Sequence, residues 1–349
     1  MKNIFVTGGC GFIGSNFIRY IHSKYPDLKI INFDVLTYAG NLENLSDIND
    51  SDRLVFIKGD IRDEQAVTNA LTEHDVQVIV NFAAESHVDR SILGPKVFVD
   101  TNVMGTMNLL ECAKRLWLDE NDALKKEGCV FLQVSTDEVY GSLGAEGLFT
   151  ETTNLKPNSP YSASKTAADL IVRSYNKTYK FPTLTTRCSN NYGPYQFPEK
   201  LIPLIIGNAL EDKPLPVYGD GLNVRDWLHV NDHSSAIDAV IQCGKVGDIY
   251  NIGGNNEWTN IDIVKLILKE LNKPESLIKF VTDRKGHDRR YAIDSAKIMT
   301  QLNWEPSYTF ETGIKETIDW YLSNKEWLSH VRSGEYMKYY DNNYLNRGL

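Results

Sequence analysis

Residues 7–14 read Thr-Gly-Gly-Cys-Gly-Phe-Ile-Gly, and this stretch restricts the fold more sharply than any other. It satisfies both Gly-x-Gly-x-x-Gly (Gly9, Gly11, Gly14) and the looser Gly-x-x-Gly-x-x-Gly (Gly8, Gly11, Gly14). An apolar run, Asn3–Thr7, precedes it, and a helical run, Phe12–Lys24, follows. Glycines permit a tight strand-to-helix turn and let backbone N–H groups approach an anion at the helix's positive end. A glycine pattern alone also marks plain turns. Here Asp34 ends the next strand, 20 residues after Gly14, where a carboxylate accepts from ribose hydroxyls. The ensemble predicts a dinucleotide site. A carboxylate there repels a 2′-phosphate, which favours NAD over NADP. Asp60, ending the third strand, either accepts from an adenine amino group or caps the helix after it.

Further apolar runs at Lys29–Asp34, Leu54–Lys58, Val76–Phe82, Val130–Ser135 and Thr183–Arg187 read as strands. Glu64–Glu73, Val97–Leu118 and Tyr161–Tyr179 read as helices between them. This alternation predicts an α/β fold, a Rossmann-type doubly wound parallel sheet with helices on both faces. After Arg187 the rhythm breaks, and residues 188–226 are rich in Pro, Gly, Asn and Tyr. Val230–Gln242 then reads as one more helix and Ile249–Ile252 as one more strand, followed by Asn260–Leu271, a basic stretch and an aromatic tail. A second domain could begin cleanly at 188. The favoured arrangement is interleaved: residues 1–188 plus 230–253 form the NAD-binding Rossmann domain, and 189–229 plus 254–349 a smaller C-terminal substrate lobe.

Charge narrows the partners. Lys+Arg 37 against Asp+Glu 46 gives a formal −9 over 349 residues, which excludes a general nucleic-acid binder. A single small anion held by clustered arginines remains compatible. Five scattered cysteines (Cys10, Cys112, Cys129, Cys188, Cys243) lack any Cys-x-x-Cys pair, a reduced, intracellular pattern without a Cys-based zinc site. The start MKNIFVTGG has no signal core, and no apolar run approaches the ~20 residues needed to cross a bilayer. No membrane partner and a cytoplasmic location are expected.

Ser159-Pro160-Tyr161-Ser162-Ala163-Ser164-Lys165 combines a helix start with a reactive pair. Ser159 suits the N-cap and Pro160 the first helical position. Tyr161 and Lys165 then share one helix face. An ammonium beside a phenol favours phenolate, so the expectation is a lowered Tyr161 pKa and a base near neutral pH. In isolation, Tyr-x-x-x-Lys is also a common surface pair.

With the glycine loop, this pattern resembles the extended short-chain dehydrogenase/reductase family over essentially the whole chain. Within that family, Ala83–Ser91 (AAESHVDRS), Ser135–Gly141 (STDEVYG), Asn190–Pro203, Arg225–Val230 (RDWLHV) and Gly286–Asp294 (GHDRRYAID) are similar to members that dehydrate a nucleotide-linked hexose. The resemblance implies dTDP-glucose as substrate and a lyase that oxidises C4, eliminates water across C5 and C6, and returns hydride to C6 with NAD regenerated. Tyr161 and Lys165 are implied as the redox pair, with Thr136 beside them. Glu138 removes the C5 proton, and Asp137 protonates the departing C6 hydroxyl. Asp137 must then hold a proton near pH 7, far above the usual ~3.9, and two close carboxylates in a dry cleft favour this. Neighbours in a strand point to opposite faces, so residues 136–138 must lie past the strand end or in a turn.

The same resemblance implies cofactor contacts at Gly8, Gly11, Phe12, Ile13, Gly14, Asp34, Thr37, Asp60, Ile61, Ala83, Ala84, Thr101, Tyr161, Lys165 and Asn191. It implies substrate contacts at Ser86, Thr136, Asn190, Lys200, Leu201, Pro216, Tyr218, Arg225, Asn256, Arg284 and His287, with 216–221 around the base. Arg225, Arg284, Lys285, Arg289 and Arg290 supply cations for a diphosphate, although a charge run by itself is often only a solvated turn. Lys285 stands where the family often has proline. His229 and His233 are i, i+4, but Val230 replaces the glutamate of a His-Glu-x-x-His site, so no metal is expected. The helices at 97–118 and 161–179 imply a homodimer through a four-helix bundle; burial within one chain is the alternative. A 4-epimerase, a dehydratase for GDP-, CDP- or UDP-sugars, and a non-catalytic NAD-binding regulator are the competing readings.

Overall fold

The computed structural model describes residues 2–49 and 52–333; the aromatic tail beyond 333 lies outside the described residues. The described strands are β1 (Asn3–Thr7), β2 (Lys29–Asp34), β3 (Leu54–Lys58), β4 (Val78–Asn81), β5 (Val130–Thr136), β6 (Thr183–Cys188), β7 (Asn190–Tyr192), β8 (Leu215–Tyr218), β9 (Val224–His229), β10 (Ile249–Ile252), β11 (Glu257–Thr259) and β12 (Ile278–Val281). Seven of them form one sheet in the order β10-β6-β5-β4-β1-β2-β3, all parallel. The chain leaves β1 toward β2 and β3, then crosses back to β4 on the other side. A crevice therefore opens beyond the carboxyl ends of β1 and β4, where such sheets bind ligands.

Alternation builds the two faces. Ile4, Val6 and Ile30 pack on one side with Phe17, Ile18 and Ile21 of α1 (Phe12–Lys24). Phe5, Ile31 and Phe33 point to the other side, toward Val67 and Leu71 of α2 (Glu64–Glu73). Each such fully buried side chain contributes roughly 1.5–3 kcal/mol. Beyond α3 (Val88–Leu93), one helical rod runs through α4 (Lys96–Phe98), a π-helical segment (Val99–Gly105) and α5 (Thr106–Trp117). The expected uniform helix over 97–118 is thus widened in its first half. There Gly105 lies against Ile61, and Asn102 bonds backbone groups of Glu85.

Ser159 and Ser162 form a reciprocal capping box at the start of α6 (Pro160–Tyr179), with Pro160 at the first position as expected. Beyond α7 (Leu201–Leu210), helix α8 (Val230–Cys243) packs on α1, and β10 adds to the large sheet beside β6. A separate core of Tyr192, Ile205, Trp227, Phe310 and Tyr321 underlies the two small sheets, β11-β9-β7 and β12-β8.

Candidate active site

A cavity of about 380 Å³ runs from the glycine loop to Lys200. Gly8 turns the chain with φ +67°, and a Cβ there would stand 2.8 Å from the Ala83 nitrogen. Only glycine fits that contact. Gly8, Gly11, Phe12, Ile13 and Gly14 line this end, with Thr37, Ile61, Ala83, Ala84 and Thr101 around them. Asp34 accepts from the Cys10 nitrogen (2.9 Å) and the Leu36 nitrogen (2.8 Å), which aims its carboxylate along the cavity wall. Burial raises its pKa, and the two N–H groups oppose that rise. These features fit NAD: a glycine cradle at a helix start, and a carboxylate placed for a ribose diol.

Asp60 also lines the cavity, paired with the Arg62 guanidinium at 3.0 Å. The capping alternative is corrected here. Asp63 caps α2, accepting from the Ala66 nitrogen at 3.0 Å.

Past Thr136 the chain leaves β5 for a 3-10 turn, Asp137–Tyr140, so the acidic pair does escape strand alternation. Thr136 Oγ1 accepts from the Glu138 nitrogen (3.3 Å) and lies 3.2 Å from Asp137 Oδ1. Asp137 is 1% exposed. Burial, then Glu138 and Asp226, push its carboxyl well above the usual range. Burial raises Glu138 as well, but Lys200, Arg225 and Arg284 oppose the rise. Both carboxyls are thus raised, Asp137 well above the usual range and Glu138 against the opposition of three cations.

Tyr161 and Lys165 enter the same cavity from α6. The phenol does not follow the expectation for it. Burial, then Glu138, Cys188 and Asp137, push Tyr161 well above its usual value, with a Thr136 hydrogen bond opposing. Lys165 instead donates to the Val134 carbonyl at 2.8 Å, and burial lowers its own pKa. Sequence spacing carries the lysine's proximity but not the burial that outweighs it.

Asn191 completes the cofactor side. Its Oδ1 lies 2.8 Å from Nδ1 of His233, which burial lowers to about 3, so the neutral ring donates there. His229 caps α8 and stacks on Tyr308 at 3.9 Å. The pair noted at i, i+4 thus serves as a cap and a holder of Asn191.

All fifteen cofactor positions line the cavity, as do Ser86, Thr136, Asn190 and Lys200. A second group adjoins it. Arg225 donates to the Val224 (2.7 Å) and Asp288 (2.9 Å) carbonyls and lies over Tyr291. Arg284 lies over the Tyr218 ring at 4.9 Å, and His287 meets Tyr218 edge-on. Burial lowers His287 to about 4, and it holds Asp283 at 2.6 Å. Pro216 sits in β8 beside Tyr218. Leu201 opens α7, and Asn256 is engaged elsewhere: its amide donates to the Gly254 carbonyl (2.8 Å) and its Oδ1 accepts from the Phe310 nitrogen (3.3 Å).

Sequence reasoning missed Asn102, which grips Glu85 at both its nitrogen (2.8 Å) and carbonyl (3.0 Å) and donates to Ser164. It also missed Tyr38, Arg90 and Glu199, which meet beside the cavity. Only the nearness of Asn102 to Thr101 could have pointed to the first of these.

The strand order, the glycine cradle and the Tyr161–Lys165 pair define an extended short-chain dehydrogenase/reductase. A sequence model of the GDP-mannose 4,6 dehydratase family matches residues 5–317. The dTDP-glucose 4,6-dehydratase of Xanthomonas campestris pv. campestris (strain B100) is 54% identical over 345 residues, covering 96% of this chain and 97% of that one. The crystal structure of a dTDP-glucose 4,6-dehydratase from Bacillus anthracis str. Ames in complex with NAD superposes with a TM-score of 0.87 at 54% identity, covering 95% of this chain and 100% of that one. The Streptomyces venezuelae dTDP-glucose 4,6-dehydratase, also solved with NAD bound, gives 0.89 at 46% identity, covering 94% and 99%. This chain belongs to the dTDP-glucose 4,6-dehydratase family.

Proposed function

We propose that this chain is an NAD-dependent hydro-lyase that converts dTDP-glucose to dTDP-4-keto-6-deoxyglucose and water, a step of deoxysugar (dTDP-rhamnose-type) biosynthesis. The observation that carries the reading is the buried acidic pair, Asp137 and Glu138, in one cavity with Tyr161 and Lys165. NAD+, when bound, supplies the acceptor for hydride from C4 and the donor that returns it to C6. Tyr161 takes the C4 hydroxyl proton, and Lys165 beside it holds a positive charge. Glu138, facing three cations, removes the C5 proton acidified by the 4-ketone. Asp137, kept protonated by burial and its acidic neighbours, gives its proton to the C6 hydroxyl as water leaves. An epimerase would need no such acid.

Lys200, Arg225 and Arg284 are the cations for the diphosphate, with Tyr218 at the base. The working division is a cofactor domain, 1–188 plus 230–253, and a sugar-nucleotide lobe, 189–229 plus 254–349. In support, β10 pairs with β6, while the small sheets share a separate core. A homodimer fits the exposed Leu93, Met104 and Leu170 on and beside α5 and α6, and a cytoplasmic location fits the five free cysteines. Incubation with dTDP-, UDP-, GDP- and CDP-glucose, followed by alkali-induced absorbance of the 4-keto product, tests the substrate. Signal with dTDP-glucose is expected; an NDP-galactose product instead would sink the dehydratase reading.

A further inference from the structure

Three segments far apart in sequence meet at one edge of the cofactor cavity. Tyr38 lies in the loop after β2, between Thr37 and Ala39, which both line the cavity. Arg90 belongs to α3. Glu199 precedes α7 and lines the cavity with Phe197 and Lys200. The Tyr38 hydroxyl donates to Glu199 Oε1 at 3.1 Å, and Arg90 Nε donates to Glu199 Oε2 at 3.2 Å. The Arg90 guanidinium also lies 3.8 Å over the Tyr38 ring, whose edge meets Phe197 at 5.8 Å. Next along the chain, Lys200 donates to the Ser86 carbonyl at 2.9 Å. The loop 196–200 is thereby tied at several points to loops of the large sheet.

We propose that Tyr38, Arg90 and Glu199 form a clasp that closes this edge of the cavity and sets the rate at which NAD leaves. The inference rests on the reading of the cavity as an NAD site. Its chemistry requires retention, because hydride taken from C4 must be returned to C6 of the same sugar. The Glu199 side chain is 2% exposed, against 28% for Arg90, so the clasp has a dry carboxylate and a guanidinium that reaches water. A buried ion pair adds little net stability over apolar packing. It does fix one geometry. Tyr38, Arg90 and Glu199 act here as positioning residues, holding the walls of the site.

The test is exchange of bound NAD+. Holoenzyme is mixed with excess fluorescent etheno-NAD+, and the exchange rate is read alongside Tm for the wild type, Tyr38→Phe and Arg90→Met. Loss of one hydrogen bond predicts about 5-fold faster release for Tyr38→Phe, and loss of a charged one at least about 10-fold for Arg90→Met. Tyr38→Phe keeps the ring and its packing, so it remains informative if Arg90→Met folds poorly. Release from folded Tyr38→Phe within about twofold of wild type would overturn the clasp while leaving the NAD site intact. A changed Tm with unchanged exchange would overturn it equally, as the mark of a structural contact. Failure of the wild type to hold NAD+ at all would overturn the site itself.

Discussion

Asp137 and Glu138 adjoin in the chain and are both raised by burial, but their charged neighbours differ: Asp137 Oδ2 is buried without a hydrogen-bond partner and Glu138 and Asp226 add to its rise, while Lys200, Arg225 and Arg284 oppose the rise of Glu138. Surroundings that differ in this way are what let two similar groups take the roles of acid and base.

Replacing Asp137 by Asn should leave C4 oxidation intact and slow elimination by roughly 10²-fold or more, the scale of a lost general acid. Rapid-quench analysis should find the 4-keto sugar accumulating before any 6-deoxy product; full turnover would exclude the assigned role. The same variant has a stability signature. A carboxyl raised in the folded state binds its proton more tightly there than in the unfolded chain, so stability falls as pH rises above the unfolded value near 3.9. Asp137→Asn should therefore raise Tm by about 2 °C or more at pH 7 and hardly at all near pH 3.5. Equal shifts at both values would contradict the buried-acid setting.

The Tyr161 phenol is held up by burial and by its acidic neighbours, so it needs positive charge near it to lose its proton. Tyr161→Phe should abolish the absorbance rise at 340 nm that the wild-type holoenzyme is expected to give on mixing with substrate. Normal formation of that signal would remove Tyr161 as the C4 base.

Gly8 has φ +67° and no room for a Cβ. Gly8→Ala should cost about 1–2 kcal/mol of backbone strain and push the loop off Ala83. NAD+ affinity measured by calorimetry should fall at least about 10-fold, and an unchanged affinity would mean that the loop does not cradle the cofactor.

Leu170 is 51% exposed on α6, a large apolar side chain turned to solvent in the single chain. Light scattering at micromolar protein should give a dimer for the wild type and a monomer for Leu170→Glu. A monomeric wild type would refute the four-helix bundle.

Much of the sheet was legible because its strands are near-continuous apolar runs: β1, β2, β3 and β10 begin and end where those runs do, and all but the edge strand β3 are buried along nearly their whole length. The glycine loop and Ser159–Lys165 were legible because each needs particular residues at fixed spacing. The π segment was not, since a widened turn leaves no mark in apolar periodicity. Tyr38, Arg90 and Glu199 were hidden for another reason: they lie on three separate segments, and only the fold brings them together. Tyr161 shows the same limit in energetic form. Its lysine was visible from spacing, whereas its burial was not.

The most direct test follows one hydrogen atom. With dTDP-glucose carrying deuterium at C4, the account predicts a 4-keto-6-deoxy product with the label retained at C6, read by NMR and mass spectrometry. Label remaining at C4 of an epimer, or lost to solvent, would contradict it.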